Sequence, residues 1–211
     1  PVHTLHPSVE VPAALASRLK SLPPESLDTY LYTNDHLGRF ISRIKQSHRR
    51  DNTIIAVTGD HSIRGMKYKR AEQLHRLAVP FYLYLPDQYK PRMKIDSRQI
   101  ASHKDIMPTL FHAALSEASY VNLGRNLLAS TPPGSPHNFA YHRDYLVLQN
   151  GAYLNSDQAT LSGSKISSSF DLTAEPAMAA NERVQRIRNY PRILDWLTRY
   201  QLDPANYSLT K

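Results

Sequence analysis

Four consecutive residues, Thr58-Gly59-Asp60-His61, place a carboxylate directly before an imidazole. They follow Thr53 to Val57, a β-branched and apolar run without alternation, which is how a strand buried on both faces reads. Ligands of open α/β sheets gather at the carboxyl ends of strands. At such an end Asp60 and His61 can turn on one divalent cation, and oxygen plus nitrogen ligation suits manganese or zinc better than calcium or magnesium. The same residues also read as a turn capped by Asp60 with His61 on the surface, and spacing alone leaves both readings open. Cysteine is absent, which excludes thiolate nucleophiles, disulfides and cysteine metal sites.

A second group of candidates is basic. Clusters at Arg49-Arg50, at Arg64, Lys67, Lys69 and Arg70, and along Arg183 to Arg199 contribute to a net charge of +8 and a pI of about 9.7. Such a balance favours an anionic substrate, an anionic membrane surface or nucleic acid. Nucleic acid fits least, because the clusters carry no recognition motif and no interleaved aromatic residues. Each cluster also reads as a solvated helix face or loop edge.

The elements that must position these residues follow from periodicity. The opening, Pro1 to Pro24, has five prolines and reads as irregular chain. Leu27, Tyr30 or Leu31, Leu37, Ile41 and Ile44 recur at helical spacing between Glu25 and about His48. After a turn at Asp51-Asn52, Thr53 to Val57 should be a central parallel strand. A basic connection from Arg64 to Arg76 then leads to a second buried strand, Val79 to Leu85. Ser102 or Asp105 can cap a helix from about Lys104 to Ser116, with Ile106, Leu110, Ala113 and Ala114 inward. His103 reads as part of that cap rather than as a ligand. Tyr141 to Gln149, Asn150-Gly151 and Ala152 to Leu154 predict a hairpin with a two-residue turn. Ser162 to Ser169 predicts an exposed or mobile loop, and Asn181 to Leu202 a helix broken or restarted at Pro191.

The 211 residues, 41% hydrophobic and 21% charged, suit one α/β layered body. No stretch approaches the length of apolar sequence that a membrane-spanning helix requires.

The stretch Asn52 to His61, NTIIAVTGDH, resembles the strand and metal-binding Asp-His of the sulfatase family within the alkaline-phosphatase superfamily. In particular it resembles the lipoteichoic-acid-synthase-like and phosphoethanolamine-transferase-like branch. Three further segments match it in order: His6-Pro7 with Pro12, the helix Tyr30 to Ile44 with its Gly-x-Phe, and Val79-Pro80 followed by Ser102 to Leu110 with Asp-Ile-Met-Pro-Thr-Leu. Together they cover roughly residues 3 to 128.

The resemblance implies an alkaline-phosphatase-like layered sheet with flanking helices, incomplete at the amino terminus, and a C-terminal antiparallel hairpin. Residues 1–130 would be the C-terminal part of the catalytic domain and 131–211 its hairpin and helical extension. Asp60 and His61 would be metal ligands, and His6 would contact the phosphate or head group of the substrate. Arg64, Lys67 and Lys69 could neutralise charge developing on a transferred phosphoryl group, and His75 is a possible substrate contact or a surface histidine. The threonine nucleophile and a further carboxylate ligand of the family belong to the half expected before Pro1, so the chain alone is expected to be inactive. Ser62 departs from the glycine that many relatives have after Asp-His, which leaves the substrate open.

The activity implied is transfer or hydrolysis at a phosphodiester of phosphoglycerol or phosphoethanolamine type, on an anionic or lipid head-group substrate. The alternatives are a sulfate-ester hydrolase and a non-catalytic basic module binding anionic glycan or lipid head groups. Further expectations are an extracytoplasmic location, a membrane anchor in the full-length protein, and a partner in the missing amino-terminal half or a homodimer of this fragment.

Overall fold

The computed structural model describes residues 22–92, 99–115, 120, 124–130, 135, 137–142, 145–149, 151–154, 162–168, 170–173, 178–179 and 181–203. His6 and the opening as far as residue 21 lie outside them. The chain divides into two units, Pro1–Arg92 and Met93–Lys211.

In the first unit, helix α1 spans Pro24–Gln46. Proline at its start fixes φ where an N–H would lack a partner anyway, and Glu25 in the first turn with Arg43 and Lys45 in the last complements the helix dipole. The half-buried stripe is Leu27, Leu31, Leu37, Ile41 and Ile44, and Tyr30 points outward at 38% exposure. A turn then leads into strand β1, Ile55–Thr58. Tyr84 Oη donates to the Arg50 carbonyl at 3.0 Å and Gln88 Nε2 to that of Asp51 at 3.1 Å, which pins this turn to the far end of β2, Phe81–Tyr84.

β1 is not the central parallel strand that its apolar run suggested. Among the described residues it pairs antiparallel with β2 in a two-stranded sheet, Ile55 opposite Tyr84 and Thr58 opposite Phe81. Ile55 and Val57 are half-buried, whereas Ala56 and Thr58 are exposed. The unbroken run concealed an alternation: the second face carries a small residue and a hydroxyl, both of which tolerate solvent.

The basic connection is built rather than free. Gly65 turns the chain with φ of 89°, a conformation that favours glycine. A 3₁₀ turn at Arg70–Glu72 follows, where Glu72 accepts the Lys69 backbone N–H at 2.9 Å, and then α2, Gln73–Leu77. Leu74 and Leu22 are the buried apolar side chains here.

The second unit begins with a 3₁₀ turn, His103–Asp105, leading into α3, Ile106–Ala114. A five-stranded antiparallel meander follows: β3 (Ala140–Tyr141), β4 (Tyr145–Leu148), β5 (Gly151–Leu154), β6 (Ser162–Ser164) and β7 (Met178–Ala179), in that order across the sheet. Helices α4, Glu182–Arg188, and α5, Tyr190–Leu202, close the chain. The Asn181 side chain caps α4 by accepting the Val184 N–H at 3.0 Å, and α5 restarts at Tyr190-Pro191, as the sequence predicts. Phe139, Leu146, Leu148 and Tyr153 from the sheet side pack with Val184 and Ile187 of α4 into one core.

Two expectations shift here. Leu148 pairs with Gly151, so Gly151 belongs to β5 and the register is displaced from an Asn150-Gly151 turn. Alternation cannot separate the two registers, since both keep Leu146, Leu148 and Tyr153 on the same face. The serine-rich segment is not a free loop: Ser162–Ser164 is β6, and Ile166 bridges Leu172 beyond it. Strand pairing needs backbone groups, not apolar side chains, and Gly163 sits opposite the large buried Tyr153, where the lack of a side chain suits the ring.

Candidate functional site

Asp60 and His61 lie just past the carboxyl end of β1, where pairing with β2 stops. The Asp60 Oδ1 accepts the His61 backbone N–H at 2.9 Å. His61 Nδ1 lies 2.7 Å from the Ser62 carbonyl oxygen. A carbonyl only accepts, so Nδ1 carries the proton and, in the neutral ring, Nε2 presents a lone pair. That Nε2 is 3.6 Å from Asp60 Oδ2. Two acceptors therefore face one another across a gap that a cation would satisfy. A carbonyl fixing one imidazole nitrogen while the other stays available is also the arrangement that orients metal-binding histidines.

The pair is open to solvent, with 89% of the Asp60 side chain and 51% of the His61 side chain exposed. Both sequence readings are thus present in one geometry, a local Asp turn and a convergent oxygen–nitrogen pair. The donor set fits part of a manganese or zinc shell. No group of three histidine, aspartate or glutamate residues that could hold an ion is found among the described residues. The turn rests on the segment that leads into β2, since a Cβ at Gly59 would lie 3.6 Å from Val79. Two of the segments that carry the family resemblance, Asp-His and Val-Pro, are thereby packed together.

Arg64 and Lys67 are exposed on the connection after His61, and Lys69 precedes the 3₁₀ turn. His75 sits half-buried on α2 rather than on an open loop. His103 is exposed beside Ser102, the N-cap of the 3₁₀ turn.

The Asp-Ile-Met-Pro-Thr-Leu segment has a different role from the Asp-His pair. Asp105 is wholly buried, and its Oδ2 accepts the Ser102 N–H at 3.0 Å. Its Oδ1 takes the Arg125 backbone N–H at 3.0 Å and the Lys104 ammonium at 2.6 Å. Lys104 also donates to the His137 carbonyl at 3.0 Å and lies over the Phe139 ring. Thr109 Oγ1 donates to the Asp105 carbonyl at 2.6 Å and accepts the Leu127 N–H at 3.0 Å. The fully buried residues of α3 are accordingly Pro108 and Thr109, while the expected Ile106, Leu110 and Ala113 are half-buried and Ala114 is exposed. The contacts with Arg125, Leu127 and His137 hold the segment 124–128 and the approach to β3 against this helix, and those with Ser102 and within Asp105–Thr109 close the helix start itself.

Burial pushes the Lys104 ammonium below the usual lysine range, against the pull of Asp105. Burial likewise lowers His137, helped by the Lys104 charge, while Asp105 opposes. Because His137 titrates below 6.5 in the fold, the unfolded chain takes up that proton first. Its contribution is complete above about pH 6.5 and is lost as the pH falls through the folded value. A urea-midpoint series across this range should show the loss. His137→Gln, which keeps a polar partner for the Tyr190 hydroxyl 3.1 Å away, should flatten it.

The sulfatase family model matches residues 6–116, more than half of the chain. The chain belongs to the sulfatase family. A solved structure of a protein in the alkaline phosphatase superfamily from Vibrio parahaemolyticus superposes with a TM-score of 0.51 at 20% identity, which agrees on the fold. The likeness covers 78% of this chain and 39% of that one, so this chain spans well under half the length of its structural relative. No curated protein sequence matches the chain. Within this sulfatase-family frame, Asp60-His61 is an exposed pair of candidate ligands, whereas the Asp105 network is buried and structural.

Proposed function

We propose that this chain supplies the Asp60-His61 portion of a metal-dependent active site that acts on phosphodiesters, moving a phosphoglycerol- or phosphoethanolamine-type group to an acceptor alcohol or to water. The observation that supports it is the approach of His61 Nε2 to Asp60 Oδ2 at 3.6 Å with Nδ1 tied to the Ser62 carbonyl, in a member of a family whose enzymes usually use divalent metals. Bound manganese or zinc would act as a Lewis acid on the ester and lower the cost of deprotonating an attacking hydroxyl.

The chain's own residues have distinct tasks in this scheme. Asp60 offers an anionic oxygen, and His61 a nitrogen whose tautomer is set by Ser62. Arg64 and Lys67 bring positive charge toward the non-bridging oxygens of the substrate, where negative charge grows in the transition state. Gly65 gives the turn between them its geometry. His6 is assigned to the substrate head group by resemblance. In this reading the full-length enzyme is anchored in a membrane and works outside the cytoplasm on anionic lipid head groups.

The test is turnover of chromogenic phosphodiester, phosphomonoester and sulfate-ester substrates by the full-length protein with manganese or zinc, beside Asp60→Ala. Phosphodiester turnover should fall at least about 100-fold in the variant, since loss of a direct ligand exceeds the 10–100-fold cost of losing an outer-shell partner. Metal retained after gel filtration should fall with it. Stability should stay within about 0.5 kcal/mol, because the side chain is exposed and makes only local contacts. Equal turnover by both proteins would remove Asp60 from the site, and a preference for sulfate esters would replace the substrate class.

A further inference from the structure

Helix α5 buries one face and leaves a second apolar stripe outside. Leu194 is buried, while Ile193, Trp196 and Tyr200 are 49%, 60% and 46% exposed. At about 100° per residue these three fall within an arc of about 60°, with Arg192 and Arg199 adjoining it on the side of Trp196. The Trp196 and Tyr200 rings stack at 5.4 Å, so the stripe presents one continuous aromatic surface beside an aliphatic residue. Asp195 pairs with Arg199 at 3.0 Å and offsets part of that charge. Even so, residues 182–203 carry five arginines against three carboxylates.

We propose that the Ile193–Trp196–Tyr200 stripe of α5, flanked by Arg192 and Arg199, docks this chain in the plane of an anionic lipid bilayer. Tryptophan and tyrosine combine an apolar body with a polar tip, and arginine reaches phosphate while its stem stays on the apolar boundary. An exposed helix face with that composition is the interfacial kind. Charge selects the lipid over the obvious competitor: a second copy of a chain of net charge +8 would bring like charge onto Arg192 and Arg199. A glycan or nucleic acid would have no use for the aliphatic Ile193. The surface is independent of the metal chemistry proposed above, and Asp60→Ala should leave it intact.

Trp196 is the sole tryptophan of the 211 residues, so its emission reads this helix directly. Vesicles of phosphatidylcholine with phosphatidylglycerol should shift the emission to the blue and shield it from acrylamide. Phosphatidylcholine alone should do neither, and raised salt should reverse both effects. Ile193→Ser should weaken partitioning about fivefold, the transfer value of the half of the side chain still exposed, with unchanged circular dichroism. Unchanged emission with anionic vesicles overturns the proposal. So does the same shift with heparin in place of lipid, which would assign an anionic polymer, or a shift that grows with protein concentration without vesicles, which would assign a second copy.

Discussion

Asp105→Ala is expected to destabilise the second unit by about 3–5 kcal/mol, the range found when one member of a buried ion pair is removed. The pair here is closed to water: the Lys104 and Asp105 side chains are 2% and 0% exposed. Truncation leaves the Lys104 ammonium with the His137 carbonyl and the face of Phe139, neither of which carries a full negative charge. It also orphans the backbone N–H groups of Ser102 and Arg125, which Asp105 accepts at 3.0 Å each. A buried donor left without a partner costs about 1–3 kcal/mol. Urea unfolding measures the loss, and pH separates its parts. Lys104 already titrates below 10.5 in the fold, so the unfolded state holds more protons just below that value and stability rises with pH there. Without Asp105 the lysine falls further, this window widens toward neutrality, and the variant should recover more than the wild type as pH rises. Lys104→Met with Asp105→Ala should recover part of the loss but not all, because the two N–H groups stay unsatisfied. Full recovery would mean that the charge alone mattered. A loss under about 1 kcal/mol, the value of an exposed pair, would mean that water reaches Lys104.

The contrast between Asp60 and Asp105 shows what a sequence reader can and cannot see. Asp60-His61 was legible because its partners are its neighbours: the imidazole follows the carboxylate, the tautomer is set by Ser62, and the strand before them announces the turn. Asp105 was legible as a helix cap, since Ser102 and Asp105 stand at capping-box spacing. Its burial was not, because the groups that enclose it come from backbone at Arg125 and His137, whose positions no local pattern encodes. A charged Lys-Asp pair directly ahead of an apolar helical run was the available hint.

The same division holds for the sheets. Elements governed by local chemistry emerged where expected: the proline-led α1, the Asn181-capped α4 and the restart at Pro191. Pairing partners did not. β1 looked like a central parallel strand, and its antiparallel neighbour was hidden because Ala56 and Thr58 let a half-exposed strand pass for a buried one. The serine-rich β6 was hidden for the opposite reason, as its place depends on the backbone and on room for Tyr153. Family resemblance added what neither source of local information holds, the expectation that an exposed Asp-His turn is chemical.

Gly124→Ala should cost about 2.5–6 kcal/mol, from overpacking at about 1–3 kcal/mol together with strained hydrogen bonds to the Asp105 carboxylate at about 1.5–3 kcal/mol. A Cβ at this position would stand 2.1 Å from the Lys104 carbonyl oxygen, 2.7 Å from its carbon and 2.9 Å from Asp105 Oδ1. The nearest atoms are backbone and a carboxylate fixed by three donors, so no flexible side-chain end can move aside. The chain at 124–127 must retreat instead, and that motion lengthens the 3.0 Å bonds from Arg125 N to Asp105 and from Leu127 N to Thr109. Gly38→Ala provides the opposite case within the same protein. It lies in the interior of α1 with nothing within 4 Å of an added Cβ, so alanine should stabilise that helix by about 0.5–1 kcal/mol. Urea midpoints of the two variants should therefore move in opposite directions. A Gly124→Ala protein as stable as the wild type would show that the segment after α3 is held less tightly than the Asp105 network implies.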